Sequence, residues 1–179
     1  MTEQLIKEMM SACHRQLDEM FLLHQELLLQ AELVAAMTVL GSYWKCHECH
    51  MNFEDEILLP RYARLENEGR WNATLYQQEH QKIVDIFEKT QQDLAQLIDQ
   101  NLDKRQLNRN IIALLDRQKT FKGLCEHHQE REEISLFVEL DRQTDANWRQ
   151  EELASFAEQW QQLLATEMLT VNKFFEPFE

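Results

Sequence analysis

The chain has 179 residues and a formal net charge of −14, from 18 Lys and Arg against 32 Asp and Glu. This acidic balance argues against binding to nucleic acid, which requires a basic surface that neutralises phosphates. Three glycines and two prolines are too few for the turns of a β-sheet protein, whereas the abundant Glu, Gln, Leu, Ala and Lys favour helices. We therefore predict an all-α protein built around one domain.

The compartment is predicted from what the sequence lacks. It has no apolar run of about 18 residues or more, so no membrane-spanning helix is expected. The first ten residues, "MTEQLIKEMM", do not show the basic and then apolar pattern of a signal peptide. We expect a cytoplasmic protein whose four cysteines are reduced thiols.

Three polar segments mark turns along the chain, at 65–74, 100–108 and 141–147. A fourth turn, near 30–32, has no glycine or proline to mark it. Together these turns predict five helices, near 3–29, 32–66, 72–100, 106–142 and 147–175.

The unmarked turn is inferred from histidine positions. If one histidine on each of four antiparallel helices lies at a common height, each turn falls midway between successive histidines. The histidines that satisfy this are His14, His50, His80 and His128. A turn at Gly41 would instead separate the first two by roughly 25 Å along the helices.

The predicted architecture is an up-down-up-down four-helix bundle over residues 1–145, followed by a C-terminal amphipathic helix over 146–179. Pro60 is expected to kink the second helix. The last helix carries Phe156, Trp160 and other apolar residues mostly three or four apart. This stripe is expected to pack on the bundle or on a second copy of the chain. Its acidic character argues against a role at a membrane surface.

One motif occurs twice in register, in "HECHMNFEDEILLP" and "CEHHQEREEISLFV". His50 and Glu54 lie four residues apart in the first copy, as His128 and Glu132 do in the second. Residues at this spacing share one helix face, which here also carries apolar side chains. A carboxylate facing a core costs several kcal/mol unless it is paired or bound to metal.

His14 and His80 complete the set, which would bring four imidazoles and two carboxylates together. This mixture suits iron, manganese or zinc. Two carboxylates from alternate helices can each bridge two ions about 3.5–4 Å apart. By position, His14 and His50 would bind one ion and His80 and His128 the other, which leaves room for oxygen, peroxide or nitric oxide.

Three further residues lie near the predicted ligands and are candidates to support them. Asp18, four residues after His14, either orients that histidine or forms a surface pair. His47, one turn before His50, lies behind the ligands or packs in the core. Tyr76 lies four residues before His80, and as a neutral phenol it is expected to stay behind the ligands.

The remaining histidines and cysteines allow simpler explanations. His24 is expected to be an ordinary, partly buried histidine, and His127 to be peripheral. A thiol relay to the metals and simple burial are both open for the cysteines, which are Cys13, Cys46, Cys49 and Cys125.

The segments "CHRQLDEMF", "HMNFEDEILLP", "QQEHQKI" and "HQEREEISLF" occur in an order that resembles the hemerythrin-like, HHE cation-binding family, over about residues 10–142. The resemblance implies a four-helix bundle with a non-haem di-iron centre. The ligands it implies are His14, His50, Glu54, His80, His128 and Glu132.

One position departs from the oxygen-carrying members of that family, which place a further histidine where this chain has Tyr76. A set of four histidines and two glutamates is more similar to the di-iron domain of repair-of-iron-centres proteins, which are linked to nitric oxide and damaged iron–sulfur clusters. A ferritin-like site is not expected, because no histidine here follows a glutamate by three residues.

These observations predict a protein with two iron ions that binds or reacts with oxygen, peroxide or nitric oxide, in iron-centre repair or a stress response. Manganese and zinc are alternative metals. A non-enzymatic metal-binding or gas and redox sensor module, whose last helix contacts a partner or forms a homodimer, is the alternative function. A structural bundle without metal is the third.

Overall fold

A computed structural model describes residues 5–66 and 69–175. Over these residues the chain is helical and has no strand, which confirms the all-α prediction. The helices are α1 (Ile6–Leu29), α2 (Leu33–Phe53), α3 (Leu59–Tyr62), α4 (Ala73–Ile98), α5 (Lys104–Arg131), α6 (Phe137–Gln143) and α7 (Ala146–Asn172). Two π-helical turns, Glu54–Leu58 and Glu132–Leu136, join α2 to α3 and α5 to α6. The predicted helix start near residue 3 lies outside the described residues.

The unmarked turn near 30–32 is confirmed between α1 and α2. Ala31 has a φ of 61°, in the left-handed region that usually holds glycine. The N–H groups of Ala31 and Glu32 donate to the carbonyls of Leu28 and Leu27 at 2.9 Å each. These two bonds form the Schellman motif that ends many helices.

Polar side chains begin three of the helices. Asn72 accepts a hydrogen bond from the Leu75 N–H at 3.0 Å and caps α4. Asp103 and Gln106 form a capping box at the start of α5. Asp145 caps α7 by accepting from the N–H groups of Asn147 and Trp148.

The helix is irregular near Pro60, where a kink was expected, but the proline is not the cause. The π-helical turn begins at Glu54, before the proline. The second copy of the motif forms the same turn from Glu132, although Val138 takes the place of the proline there. The turn therefore belongs to the repeated motif and not to Pro60. Single π-helical turns inside α-helices occur frequently at functional sites.

The helices pack side by side around one core. Helix α1 lies against α2 and α5, α4 lies against α2 and α5, and α7 lies along α2. The α7 side chains Phe156 and Trp160 are buried there, and the Phe156 ring stacks on Phe53 with centroids 4.2 Å apart. Among the described residues, no helix combines the length and the apolar character needed to cross a membrane.

His24 is fully buried rather than partly buried, within a polar network near the turn between α1 and α2. Its Nδ1–H donates to the Ala36 carbonyl at 2.8 Å, and its Nε2 accepts from the Gln118 amide at 2.9 Å. The Gln118 oxygen in turn accepts from Gln25. Both nitrogens are therefore satisfied by the neutral imidazole. Burial lowers the pKa of His24 to about 4.

This network predicts how stability depends on pH. Between pH 6.5 and about 4, the unfolded chain binds a proton at His24 that the folded chain does not, so the free energy of unfolding falls as the pH falls. The expected loss is about 2–3 kcal/mol over that window, measured by urea denaturation. His24→Gln should remove this component, whereas His127→Gln, at a side chain 72% exposed, should not. Equal pH profiles for all three proteins would contradict the prediction.

Candidate metal centre

The six predicted ligand residues meet in the core between α1, α2, α4 and α5. Each helix contributes one histidine, and the first residue of each π-helical turn contributes a glutamate. None of the six side chains is more than 4% exposed. Their ligand atoms fall into two groups, each with all atoms within 4.8 Å of one another. We call these groups the first half-site, with His14 and His50, and the second half-site, with His80 and His128.

In the first half-site, the Nε2 atoms of His14 and His50 lie 3.1 Å apart. Oε1 of Glu54 lies 3.2 Å from the His50 Nε2, and Oε2 of Glu132 lies 3.3 Å from the His14 Nε2. Two nitrogens bound to one ion at about 2.1 Å are separated by roughly 3.0–3.4 Å. The spacing therefore fits a pair of imidazoles that share an ion.

The second half-site repeats this arrangement. The Nε2 atoms of His80 and His128 lie 2.9 Å apart. The Oε2 atom of Glu54 lies 3.3 Å from the His80 Nε2, and the Oε1 atom of Glu132 lies 2.9 Å from the His128 Nε2. Each glutamate thus directs one oxygen to each half-site.

The four oxygens of Glu54 and Glu132 are buried and accept no hydrogen bond of normal geometry from the described residues. Buried ionised carboxylates are stable only when they are paired or coordinate a metal. Here the nearest groups are imidazole nitrogens, which are themselves metal ligands. These residues therefore fit one or more cations.

Opposite charges in the centre shift the pKa values of His80 and the two glutamates toward their ionised forms. Burial would lower the pKa of His80, but interactions with Asp55 and then with the two central glutamates raise it to about 12. Burial and nearby negative charge oppose ionisation of Glu54, yet His50 and His80 hold its pKa below the ordinary value. Both carboxylates are thus ionised in the folded chain, as metal binding requires.

A second layer of carboxylates, which the sequence interpretation did not assign, orients the histidines. Glu133 Oε1 lies 2.8 Å from the His14 Nδ1, and Asp55 Oδ1 lies 2.8 Å from the His80 Nδ1. Asp55 and Glu133 hold the same position in the two copies of the motif, which is the signal that could have identified them. Such partners hold the ring so that Nε2 faces the metal.

Glu79 supplies a third orienting carboxylate. Its Oε2 lies 2.9 Å from the His128 Nδ1, and its Oε1 pairs with the Arg131 guanidinium. Burial would raise the pKa of Glu79, but His128 and then Arg131 lower it. No periodic pattern in the sequence indicates this residue, because its partner lies on another helix.

Two of the predicted supporting residues lie away from the ligands. Asp18 accepts a hydrogen bond from Gln129 at 3.4 Å, and the Nδ1 of His14 is held by Glu133 instead. His47 is buried and its Nδ1 lies 2.7 Å from the Tyr43 hydroxyl. Its ring centroid is 6.4 Å from that of His50. Both side chains thus occupy the surroundings of the centre without holding a ligand.

Tyr76 is buried, and its ring centroid lies 6.1 Å from that of His128. Its hydroxyl donates to the main-chain carbonyl of Arg131 at 3.3 Å, just before the second π-helical turn. Burial, and then the neighbouring Tyr62, raise the pKa of this phenol above its ordinary value. The phenol is therefore held in its neutral form, and its hydroxyl hydrogen is directed to the main chain.

All four cysteines are free thiols, and three of them are buried. Burial raises the pKa of Cys46 to about 12, with a further contribution from Glu167. Thiolates bind metals and thiols bind them weakly. Among the described residues, the groups with metal-binding geometry contain no cysteine, so Cys46 and Cys49 form no zinc half-site.

Two cavities approach the centre from the surface. One, of about 360 Å³ between α2 and α4, is lined by Asp55 and His80 and by polar side chains such as Asn52. The other, of about 270 Å³, extends to Tyr43 and Cys125. The first cavity thus borders the outer side of the second half-site, at Asp55 and His80.

Comparison with known proteins adds no assignment, since no family model, curated protein or solved structure matches the chain. The likeness to hemerythrin-like domains therefore rests on the residues of the repeated motif. The geometry of the centre is independent of that likeness.

Replacing either central glutamate should remove most of the metal. Because Glu54 and Glu132 each direct an oxygen to both half-sites, Glu54→Ala or Glu132→Ala should lower the bound metal per chain by more than half. Elemental analysis after reconstitution measures this. Glu130→Ala, at a side chain 68% exposed, is the matched control and should retain full metal. Equal losses in all three variants would show that these carboxylates matter only for general stability.

Tyr76→Phe should retain the full metal content, because the phenol is neutral and bonded to the Arg131 carbonyl. The variant should lose about 1 kcal/mol of unfolding free energy, which is the usual value for one hydrogen bond. Metal analysis and urea denaturation measure the two effects. Loss of one ion per chain would show instead that Tyr76 is a ligand.

Proposed function

We propose that this chain is a hemerythrin-like di-iron protein, in which α1, α2, α4 and α5 form an up-down-up-down four-helix bundle around two iron ions. The observation that carries the proposal is the arrangement of Glu54 and Glu132. Each is fully buried, lacks a hydrogen bond of normal geometry and directs one oxygen to each pair of histidines. Two ions bridged by both carboxylates would satisfy all four oxygens.

Two ions fit these residues better than one. A single ion cannot lie close to both pairs of Nε2 atoms and also accept both oxygens of each glutamate in a regular geometry. Carboxylates that bridge two ions about 3.5–4 Å apart are common in two-metal sites. The division of the ligand atoms into two groups that share both glutamates supports this.

The donor set admits iron, and the resemblance to hemerythrin-like domains favours it over the alternatives. Imidazole and carboxylate together suit iron, manganese and zinc, whereas thiolate ligands are absent from the two groups of ligand atoms. Two histidines and two bridging oxygens leave each ion short of six ligands. When bound, such an iron pair supplies the capacity to bind or reduce oxygen, peroxide or nitric oxide.

The role of the chain is to orient the ligands and exclude water. Glu133, Asp55 and Glu79 accept from the Nδ1–H groups of three histidines, which leaves Nε2 free to bind an ion. The ring of Phe137 lies 5.8 Å from that of His14 and forms part of the apolar wall. The cavity beside His80 suits a small ligand, because a larger one would meet the buried rings first.

A sensor module is the second candidate function. Trp160 on α7 contacts the first half-site, with ring centroids of Trp160 and His50 6.3 Å apart. Leu169, less than one turn from the end of the same helix, is 70% exposed. A change in the ligands of the bound metal would thus occur next to α7, which also carries an exposed apolar side chain that a partner could contact. Turnover of peroxide or nitric oxide distinguishes an enzyme from a sensor.

The proposal predicts that the purified chain, reconstituted with ferrous iron under anaerobic conditions and then oxidised, holds two iron ions. Elemental analysis should give two ions per chain, and the near-ultraviolet spectrum should show the absorption of a bridged di-ferric pair. One ion per chain would exclude the two-metal site. Failure to bind iron in a chain that binds two manganese or zinc ions would exclude iron and leave the site intact.

A further inference from the structure

We infer that the two half-sites are unequal, so that the chain binds its first metal ion at His80 and His128 and its second, more weakly, at His14 and His50. The inference rests on the proposed two-ion site and adds an order of binding to it. It derives from the groups behind the histidines, because both glutamates are shared between the half-sites and do not distinguish them.

The Nδ1 atoms of the four histidines differ in their partners. In the second half-site, His80 has Asp55 at 2.8 Å and His128 has Glu79 at 2.9 Å. In the first half-site, His14 has Glu133 at 2.8 Å. The Nδ1 of His50 is buried and has no hydrogen-bond partner among the described residues.

This difference acts directly on metal affinity. To bind an ion through Nε2, a neutral imidazole must carry its proton on Nδ1. A carboxylate that accepts this proton fixes the ring and makes Nε2 a stronger donor. Loss of such a partner typically lowers metal affinity about 10–100-fold. At His50 the Nδ1–H would also remain buried without an acceptor, which costs free energy whenever the ion is bound.

The sequence explains why the partner is missing. Glu79 immediately precedes His80, whereas Cys13 occupies the same position before His14. Cys13 is buried, and a thiol is a weak hydrogen-bond acceptor compared with a carboxylate. The first half-site therefore has no counterpart of Glu79.

The residues behind these histidine partners also differ between the half-sites, and they too favour the second half-site. Arg131, three residues after His128, pairs with Glu79 and keeps that carboxylate in place. The corresponding residue three after His50 is Phe53, which stacks on Phe156 of α7. Helix α7 thus covers the first half-site with aromatic rings where the second half-site has an ion pair.

The order of binding can be tested with zinc, which is diamagnetic. The metal-free full chain, with ¹⁵N-labelled histidine, is titrated with Zn²⁺ while the imidazole nitrogens are followed by NMR. The first equivalent should shift the Nε2 signals of His80 and His128, and the second those of His14 and His50. Competition with a chelator should give two dissociation constants that differ by about 10–100-fold.

Glu79→Gln provides the matched variant. It keeps the shape of the side chain and removes the negative charge, so it should weaken the tighter site about tenfold and leave the weaker site unchanged. Glu88→Gln, exposed on the same helix, should change neither constant. A purely structural role for Glu79 would instead lower the unfolding temperature and weaken both sites alike. Glu79→Asp should restore part of the difference.

The outcomes separate this inference from the proposed function. Two equal dissociation constants, a first equivalent that shifts His14 and His50, or one equivalent that shifts all four histidines would each overturn the unequal half-sites. In the first two cases the two-ion site would stand. A chain that binds no zinc at the six residues would overturn the proposed site itself.

Discussion

The structure depends on two ionised carboxylates at the centre of the protein. Glu54 and Glu132 are fully buried, and an uncompensated charge in such a place would cost more than most domains have in total stability. The positive groups within reach are imidazoles, whose own charge is costly to bury as well. The carboxylates and the imidazoles therefore stabilise one another, and a bound cation would stabilise both kinds of side chain in the core. This mutual requirement ties α1, α2, α4 and α5 to one another at a single height.

The repeated motif supplies more than the ligands. Its first acidic residue enters the centre, and its second crosses to the histidine of a neighbouring helix: Asp55 contacts His80 and Glu133 contacts His14. Both copies also form a π-helical turn from the first acidic residue onward. Two consecutive carboxylates thus contact opposite nitrogens of one histidine: Glu54 approaches the Nε2 of His80 and Asp55 its Nδ1.

The helices and the six central residues could be predicted from the sequence because both depend on local spacing. Helix bounds follow apolar periodicity and caps, and the turn at Ala31 followed from the common height of the histidines. The π-helical turns were missed because their residues are ordinary helix formers. Asp18 was one candidate partner of His14 because it shares a helix face with it. The observed partner, Glu133, is 119 residues away, and spacing along one helix cannot reveal it.

The centre is nearly symmetric in its ligands and clearly asymmetric in its surroundings. Both histidine pairs meet the same two glutamates, yet one pair is backed by Asp55, Glu79 and Arg131, and the other by Glu133 and the aromatic rings of α7. Apolar rings lower the local dielectric and strengthen every charge interaction, but they accept no proton from an imidazole. Helix α7 therefore belongs to the environment of the candidate metal centre, although none of its residues is in the two groups of ligand atoms. The repeated motif gives the two half-sites equivalent ligands, whereas residues outside the motif make the surroundings of the two half-sites differ.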